Sequence, residues 1–326
     1  MPELPDVEVY VSALADRIKG ERLLGVRLKS PFLLRSVTPP LREAYDRTVT
    51  GVRRLGKRIV IDLDAPSSPN PHGPGDLHLV IHLMIAGRFA WEKPGAKLPG
   101  KIGLAAFDFS SGTLILREAG TKKRASLHLV EGEHALRAHD RGGIEVMGST
   151  LEAFRTALTA ENHTLKRSLT DPRVFSGIGN AYSDEILHRA RLSPMKQTQH
   201  LADDDIARLH AATQDVLAQW IDRIRDDAAG GFPEKVTAFR EGMAVHGRWR
   251  EPCPDCGAPV QRIVYAENDC NYCARCQNEG RLLADRALSR LLKSDWPKTL
   301  EELEELRQQR VETQPVPVAT APRRRR

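Results

Sequence analysis

The sequence predicts an α+β protein, with a helix plus an antiparallel β-sandwich first and a largely helical part after it. Three observations predict it. Apolar residues alternate with period two between about residues 26 and 116. They recur at helical spacing after about residue 148. All five cysteines fall between Cys253 and Cys276, which argues for a local metal site and against a distributed disulfide framework.

Val7, Val11, Leu14 and Ile18 lie on one helical face. They predict a helix over about 6–19, with Asp6 as N-cap or first-turn acid and Gly20 as the stop. The pairs and runs Val26/Leu28, Ile59/Ile61/Leu63, Leu77/Leu79/Ile81/Leu83, Leu104/Ala106 and Leu114/Leu116 predict strands, punctuated by Gly, Pro and Ser clusters. Residues 65–76 read as a loop. Beyond them Leu151, Phe154 and Leu158 share a helix face. Asp203, Asp204 and Asp205 open a long amphipathic helix carrying Ile206, Leu209, Val216, Leu217, Trp220, Ile221 and Ile224. Leu282, Leu283, Leu288, Leu291 and Leu292 predict a further helix, followed by a short acidic one at about 299–310. The Pro-rich, Arg-ended tail is expected to be disordered. The domain boundaries that follow are 1–135, 145–245, 246–280 and 281–326.

The chain has 326 residues and a formal net charge of +6, enough length for about two cores. Arg323, Arg324, Arg325 and Arg326 supply four of those net charges. The body is therefore close to neutral. That excludes a histone-like polycation and confines any nucleic-acid contact to a local site. The opening MPELPDVEVY has neither a basic leader nor an apolar core, so no secretory signal is expected. The stretch Leu77–Trp91 is broken by His78, His82 and Arg88, too short and too polar to span a bilayer. A cytoplasmic, nucleoid-associated monomer with no membrane partner is the expectation.

Cys253-Pro-Asp-Cys256 and Cys273-Ala-Arg-Cys276 are two CxxC knuckles sixteen residues apart. Four thiolates in this pattern suit one closed, structural zinc ion. Cys270 is surplus. Cys270/Cys273 is the alternative second pair, and the flanking strand patterns favour Cys273/Cys276. At the other end, removal of Met1 would leave Pro2 as a secondary amine. An α-amino group titrates near pH 8, so an unprotonated fraction is available to attack an aldehyde carbon. Glu3 stands beside it as an acid or base.

In chain order these pieces resemble the formamidopyrimidine-DNA glycosylase/endonuclease VIII family of base-excision repair enzymes. The carriers are PELPDVE at 2–8, RRLGKR at 53–58, HLMIAGRF at 82–89, HTLKRSLTDPRVFSGIGNAYSDEILHRARLSP at 163–194 and the two knuckles. The resemblance runs to about residue 280. It implies a helix–two-turn–helix motif at 163–194, a β-hairpin zinc finger, and damaged double-stranded DNA bound in a cleft between the two halves. It further implies a flipped-out damaged base, attack of Pro2 on the sugar C1′, base release, and strand cleavage by β- and usually δ-elimination. Glu3 matches the catalytic acid. Lys57 matches the lysine of base release and phosphate contact. His82 belongs to the strand-turn beside the DNA. Asn180 is placed at a helix N-cap where free N–H groups attract phosphate, with Lys166 adding a charge-assisted contact.

The sequence departs from that pattern at four places. Asp6 replaces a glutamate. The intercalating position falls on Ile85, with Met84 one residue early, and either is an apolar wedge. The void-filling loop reads Gly120-Thr121-Lys122-Lys123-Arg124, with no aromatic. Lys122, Lys123 and Arg124 are left to grip phosphate or the orphaned base. The zinc-finger arginine falls at Asn268, which lacks a cationic fork, so weaker DNA binding and δ-elimination are expected. Two other readings stand beside the bifunctional glycosylase/AP lyase. One is an AP lyase or lesion binder with little base excision. The other is a non-enzymatic zinc-finger interaction protein.

Overall fold

The computed structural model describes residues 1–64, 75–234, 240–265, 268–284, 291 and 296–313. Its first element, α1, is Leu4–Ile18, so it starts two residues before the apolar spacing suggests. Pro5 presets the helical φ in the first turn. Asp6 is a first-turn acid and not the cap: its carboxylate accepts the N–H of Glu3 at 2.9 Å, and Glu3 is the N-cap. Gly20, at φ +85°, turns the chain out of the helix.

Eight strands follow: β1 (Gly25–Leu28), β2 (Val49–Leu55), β3 (Arg58–Leu63), β4 (Leu77–His82), β5 (Gly87–Glu92), β6 (Gly103–Asp108), β7 (Thr113–Glu118) and β8 (Ser126–Glu131). They form two antiparallel sheets, β1-β6-β7-β5 and β2-β3-β4-β8. Their inner faces meet in one core. Ile59, Ile61, Leu79, Ile81 and Leu127 come from the second sheet, and Phe89, Leu104, Phe107 and Leu116 from the first. A short helix, α2 (Gly132–Arg137), lies on the outer face of the second sheet, where Leu136 packs on Val60 and Val80.

A second core is built by helices α3 (Leu151–Thr159), α4 (Leu165–Thr170), α5 (Asn180–Arg189) and α6 (Asp203–Ala228). The apolar face predicted for α6 is buried throughout. Helix α1 belongs to both cores: Val7, Tyr10, Leu14 and Ile18 enter the sandwich, while Leu4 and Val9 enter the helical core. Arg54, with its side chain only 7% exposed, adds a polar tie. It pairs with Glu8 on α1 at 2.6 Å and with Glu145 before α3.

The cysteine segment forms the hairpin β9 (Gln261–Tyr265) and β10 (Asn268–Tyr272), followed by α7 (Ala274–Asn278). The acidic helix α8 is Leu300–Thr313. Of the helix expected at 282–292, residues 282–284 and 291 are described. Leu282 and Leu283 are irregular, with their N–H groups donating to the Lys298 carbonyl and the Tyr272 hydroxyl. Leu291 is helical. Leu288, Leu292, most of the 65–76 loop and the Arg-ended tail lie outside the described residues. Among the described residues no helix is long and apolar enough to cross a membrane.

Candidate active site

Pro2 and Glu3 are buried where α1 meets the helical half. The Glu3 carboxylate accepts three backbone N–H groups at the start of α5. Gly179 donates to Oε2 at 2.7 Å, Tyr182 to Oε2 at 3.2 Å and Ala181 to Oε1 at 2.9 Å. A helix N-terminus presents unpaired donors and a partial positive charge, so it suits a carboxylate. This corrects the expectation for Asn180. The N-cap is Gly179, and Asn180 is the first helical residue. The N–H groups expected to be free for phosphate are taken by Glu3. The Asn180 amide instead donates to the Asp269 carbonyl on β10 at 2.7 Å.

Lys166 also differs from expectation. Its ammonium has three protons, and all three have internal acceptors: the Asn180 carbonyl at 2.7 Å, Ser183 Oγ at 2.8 Å and Asp184 Oδ1 at 2.5 Å. It braces the first turn of α5 and does not face the cleft as a free cation.

Lys57 stands on the two-residue turn Gly56–Lys57 that joins β2 to β3, with Gly56 at φ +61°. Its amine reaches the same point as Glu3. A Cβ placed on Gly179 would lie 2.5 Å from both Lys57 Nζ and Glu3 Cδ. Burial pushes the Lys57 amine below its ordinary range, and the Glu3 charge partly opposes this. Burial likewise lowers the α-amino group of Met1, the residue that precedes Pro2. Met1, Lys57, Arg58, His82, Arg141 and Gly177 line one cleft of about 270 Å³. Asp6, fully buried below this floor, is pushed up to about 6 by desolvation, with Arg240 opposing.

His82 Nδ1 accepts the Met84 N–H at 2.9 Å, which places its proton on Nε2. Burial, with Arg58 and Lys57 nearby, lowers it to about 4, so it is neutral at pH 7. The turn after β4 closes with Gly87 N–H on the Leu83 carbonyl at 2.9 Å. A Cβ on Gly87 would sit 2.3 Å from that oxygen, so only glycine fits. Met84 takes φ +52° and is half-buried. Ile85 is 51% exposed and is the apolar side chain that projects.

Lys122, Lys123 and Arg124 are exposed. Their loop hangs from Glu118, buried to 1%. The Glu118 carboxylate takes the N–H of Arg124 at 3.0 Å and of Ala125 at 3.3 Å. Lys123 folds back, its amine donating to the Glu118 carbonyl.

The four knuckle sulfurs lie within 4.8 Å of one another. Cys253–Cys276 is 3.9 Å and Cys256–Cys273 is 3.5 Å. Zinc–sulfur bonds of about 2.3 Å give tetrahedral edges of about 3.8 Å, so the donor set fits zinc. Cys270 is not part of it; it is buried in the hairpin's own core. Sequence reasoning missed what docks this hairpin. Asp184, fully buried, takes Lys166, His246 Nδ1 at 2.8 Å and the Asn271 N–H at 3.1 Å. Glu185 takes the N–H groups of Ala244, Val245 and His246 at 2.7–2.9 Å. Asn268 opens β10 opposite Tyr265.

The formamidopyrimidine-DNA glycosylase N-terminal domain model matches residues 1–134, and that enzyme's H2TH domain model matches residues 146–228. A formamidopyrimidine-DNA glycosylase of Heliobacterium modesticaldum is 33% identical over 292 residues, covering 85% of this chain and 100% of that one. The chain belongs to the formamidopyrimidine-DNA glycosylase family. Among solved structures, wild-type Lactococcus lactis Fpg with oxidised-pyrimidine DNA is 25% identical, with a TM-score of 0.71 over 85% of this chain and 100% of that one. The same enzyme with abasic-site DNA matches in fold, at 24% identity and a TM-score of 0.70 over 85% and 99%.

In this family member Gly179 is the point where Glu3 and Lys57 meet. Gly179→Ala is expected to cost about 1–3 kcal/mol by overpacking, because its new methyl would displace both Glu3 and Lys57. A melting temperature equal to that of the parent protein would contradict the crowding.

Proposed function

We propose that this protein is a DNA glycosylase of base-excision repair that acts on damaged double-stranded DNA and also nicks it as an AP lyase. The observation that carries the proposal is that the amino terminus and Lys57 line one cleft, with the Glu3 carboxylate meeting the Lys57 amine at Gly179. The solved relatives support the substrate class, since their complexes contain oxidised-pyrimidine and abasic-site DNA.

In this reading Met1 is removed first, because its acyl group occupies the Pro2 nitrogen. The freed amine adds to C1′ of a flipped nucleotide as the bond to the base breaks. Glu3 acts as the adjacent acid, and opening of the sugar ring leaves an iminium on Pro2. Loss of a C2′ proton then expels the 3′ phosphate by β-elimination, and δ-elimination follows. Lys57 contacts phosphate and assists base release. His82 donates Nε2–H into the cleft, Ile85 and Met84 fill the stack, and Lys122, Lys123 and Arg124 face the DNA. Lys166 and Asn180 act as positioning residues that hold α5 and β10. Cys253, Cys256, Cys273 and Cys276 would hold zinc, which supplies a fold to the hairpin.

A second reading, an AP lyase with little base excision, is favoured by the absence of an aromatic in the 120–124 loop. One experiment tests both. Processed, zinc-loaded protein is incubated with borohydride and duplexes carrying an abasic site, 8-oxoguanine or an oxidised pyrimidine. A covalent adduct on abasic DNA that disappears in Pro2→Gly is expected. Adducts on the base lesions separate the glycosylase from the lyase alone. No adduct on any duplex would refute the enzymatic reading.

A further inference from the structure

The outer face of the second sheet has two polar ends, separated by the apolar patch of Val60, Val80 and Leu136. At the end away from the cleft the cations are compensated. Arg53 lies 2.9 Å from Asp62 and also bonds Glu133, and His78 Nδ1 is 2.6 Å from the same Asp62. At the cleft end compensation stops. Arg58 sits across from His82 in the β3–β4 register. His128, on β8, packs its ring edge against His139 with centroids 4.7 Å apart. Arg141 is exposed beside them, and Arg58, His139 and Arg141 line the same cleft as Lys57. Among the described residues neither Arg58 nor Arg141 has a salt bridge. Asp140, in the same wall, turns a carboxylate oxygen to the Gly142 N–H at 2.9 Å.

A half-buried guanidinium without a counterion is costly unless a ligand brings the charge. Burial and the Arg141 charge both hold Arg58 below its ordinary range, with Asp140 opposing. Burial and Arg58 hold His128 and His139 down as well. These neutral rings leave the anion-binding charge to the two arginines, whose planar forks match phosphate oxygens.

We propose that Arg58 and Arg141, backed by His139 and His128, form a seat for one phosphodiester of the damaged strand. The seat is distinct from the Lys57 and His82 contacts. This rests on the glycosylase reading above, which supplies DNA as the occupant.

The test uses full-length, processed, zinc-loaded protein and a duplex with a tetrahydrofuran abasic analogue. Arg58→Gln should weaken binding about tenfold near 0.1 M salt. It should also make the log K against log salt slope shallower by about 0.9, one phosphate's share. Arg141→Gln, at an exposed position, should act in the same direction without a folding risk. Methylphosphonates placed singly along the damaged strand should weaken the parent protein at one position near the lesion, and that penalty should vanish in Arg58→Gln. The proposal is overturned if both variants keep the parent's slope and affinity. It is equally overturned if the methylphosphonate penalty adds to Arg58→Gln at every position. The parent's borohydride adduct separates the two failures: an adduct with no change in slope defeats the seat alone, and no adduct defeats the glycosylase reading.

Discussion

Glu3→Gln is expected to lower thermal stability and abolish the borohydride-trapped adduct together. A carboxylate presents two accepting oxygens, and here they serve three N–H groups of α5. An amide of the same shape presents one oxygen and turns an NH₂ toward at least one of those donors. Bonds to a charged acceptor are worth about 1.5–3 kcal/mol each, so a loss of roughly 3 kcal/mol is expected, a drop of several degrees for a chain of this size. The chemical loss is larger, since the proposed acid beside Pro2 disappears. Calorimetry and trapping on abasic DNA read the two effects separately. An unchanged melting temperature would show that Glu3 does not hold α5. Undiminished trapping would remove it from the catalytic set.

Zinc chelation is the second large effect. Structural zinc contributes apparent binding energies of about 10–16 kcal/mol to small fingers near pH 7, far more than the small hairpin core can replace. That core is chiefly Val245, Val260, Ile263, Tyr272 and the cysteines. Without metal, four sulfurs within 4.8 Å of one another have no ion to hold them together. Binding to abasic-analogue DNA is expected to fall to background, while the sandwich melts as before, because its core takes no residue from 253–276. Release of one zinc per chain, measured with a chromogenic chelator, accompanies the loss. Retained binding after full release would refute the hairpin's part in DNA contact.

How far the fold was legible depends on what each segment shows locally. Leu77, Leu79 and Ile81 alternate cleanly and read as a strand. Leu127 and Leu129 alternate as well in β8, but the pattern is brief and follows a basic loop. Strand β2 keeps mostly half-exposed residues, so period two carries little contrast there. In the site, Pro2, Glu3 and Lys57 stand out in the sequence because their order matches a known family pattern, and the structure brings Glu3 and the Lys57 amine together. Asp184 and Glu185 do not: two acids in a helix read as a solvated face, and they are buried by Lys166, the 244–246 segment and the hairpin packed over them. Asn180 was placed one position off for a similar reason. The cap of α5 comes from Glu3, which is 176 residues from Gly179 and invisible to any local window. Arg58 resembles an ordinary strand-end cation, and only the structure shows that it has no salt bridge among the described residues.

Helix α1 sits in both cores, with Glu3 at its head bonded to α5. The proposed chemistry therefore lies across the seam between the two halves. Rocking one half against the other is not a remote hinge motion that leaves the reacting groups untouched, because it pulls directly on the carboxylate. In the proposed mechanism the acid and its N–H cradle come from different halves, so parting the halves would separate them.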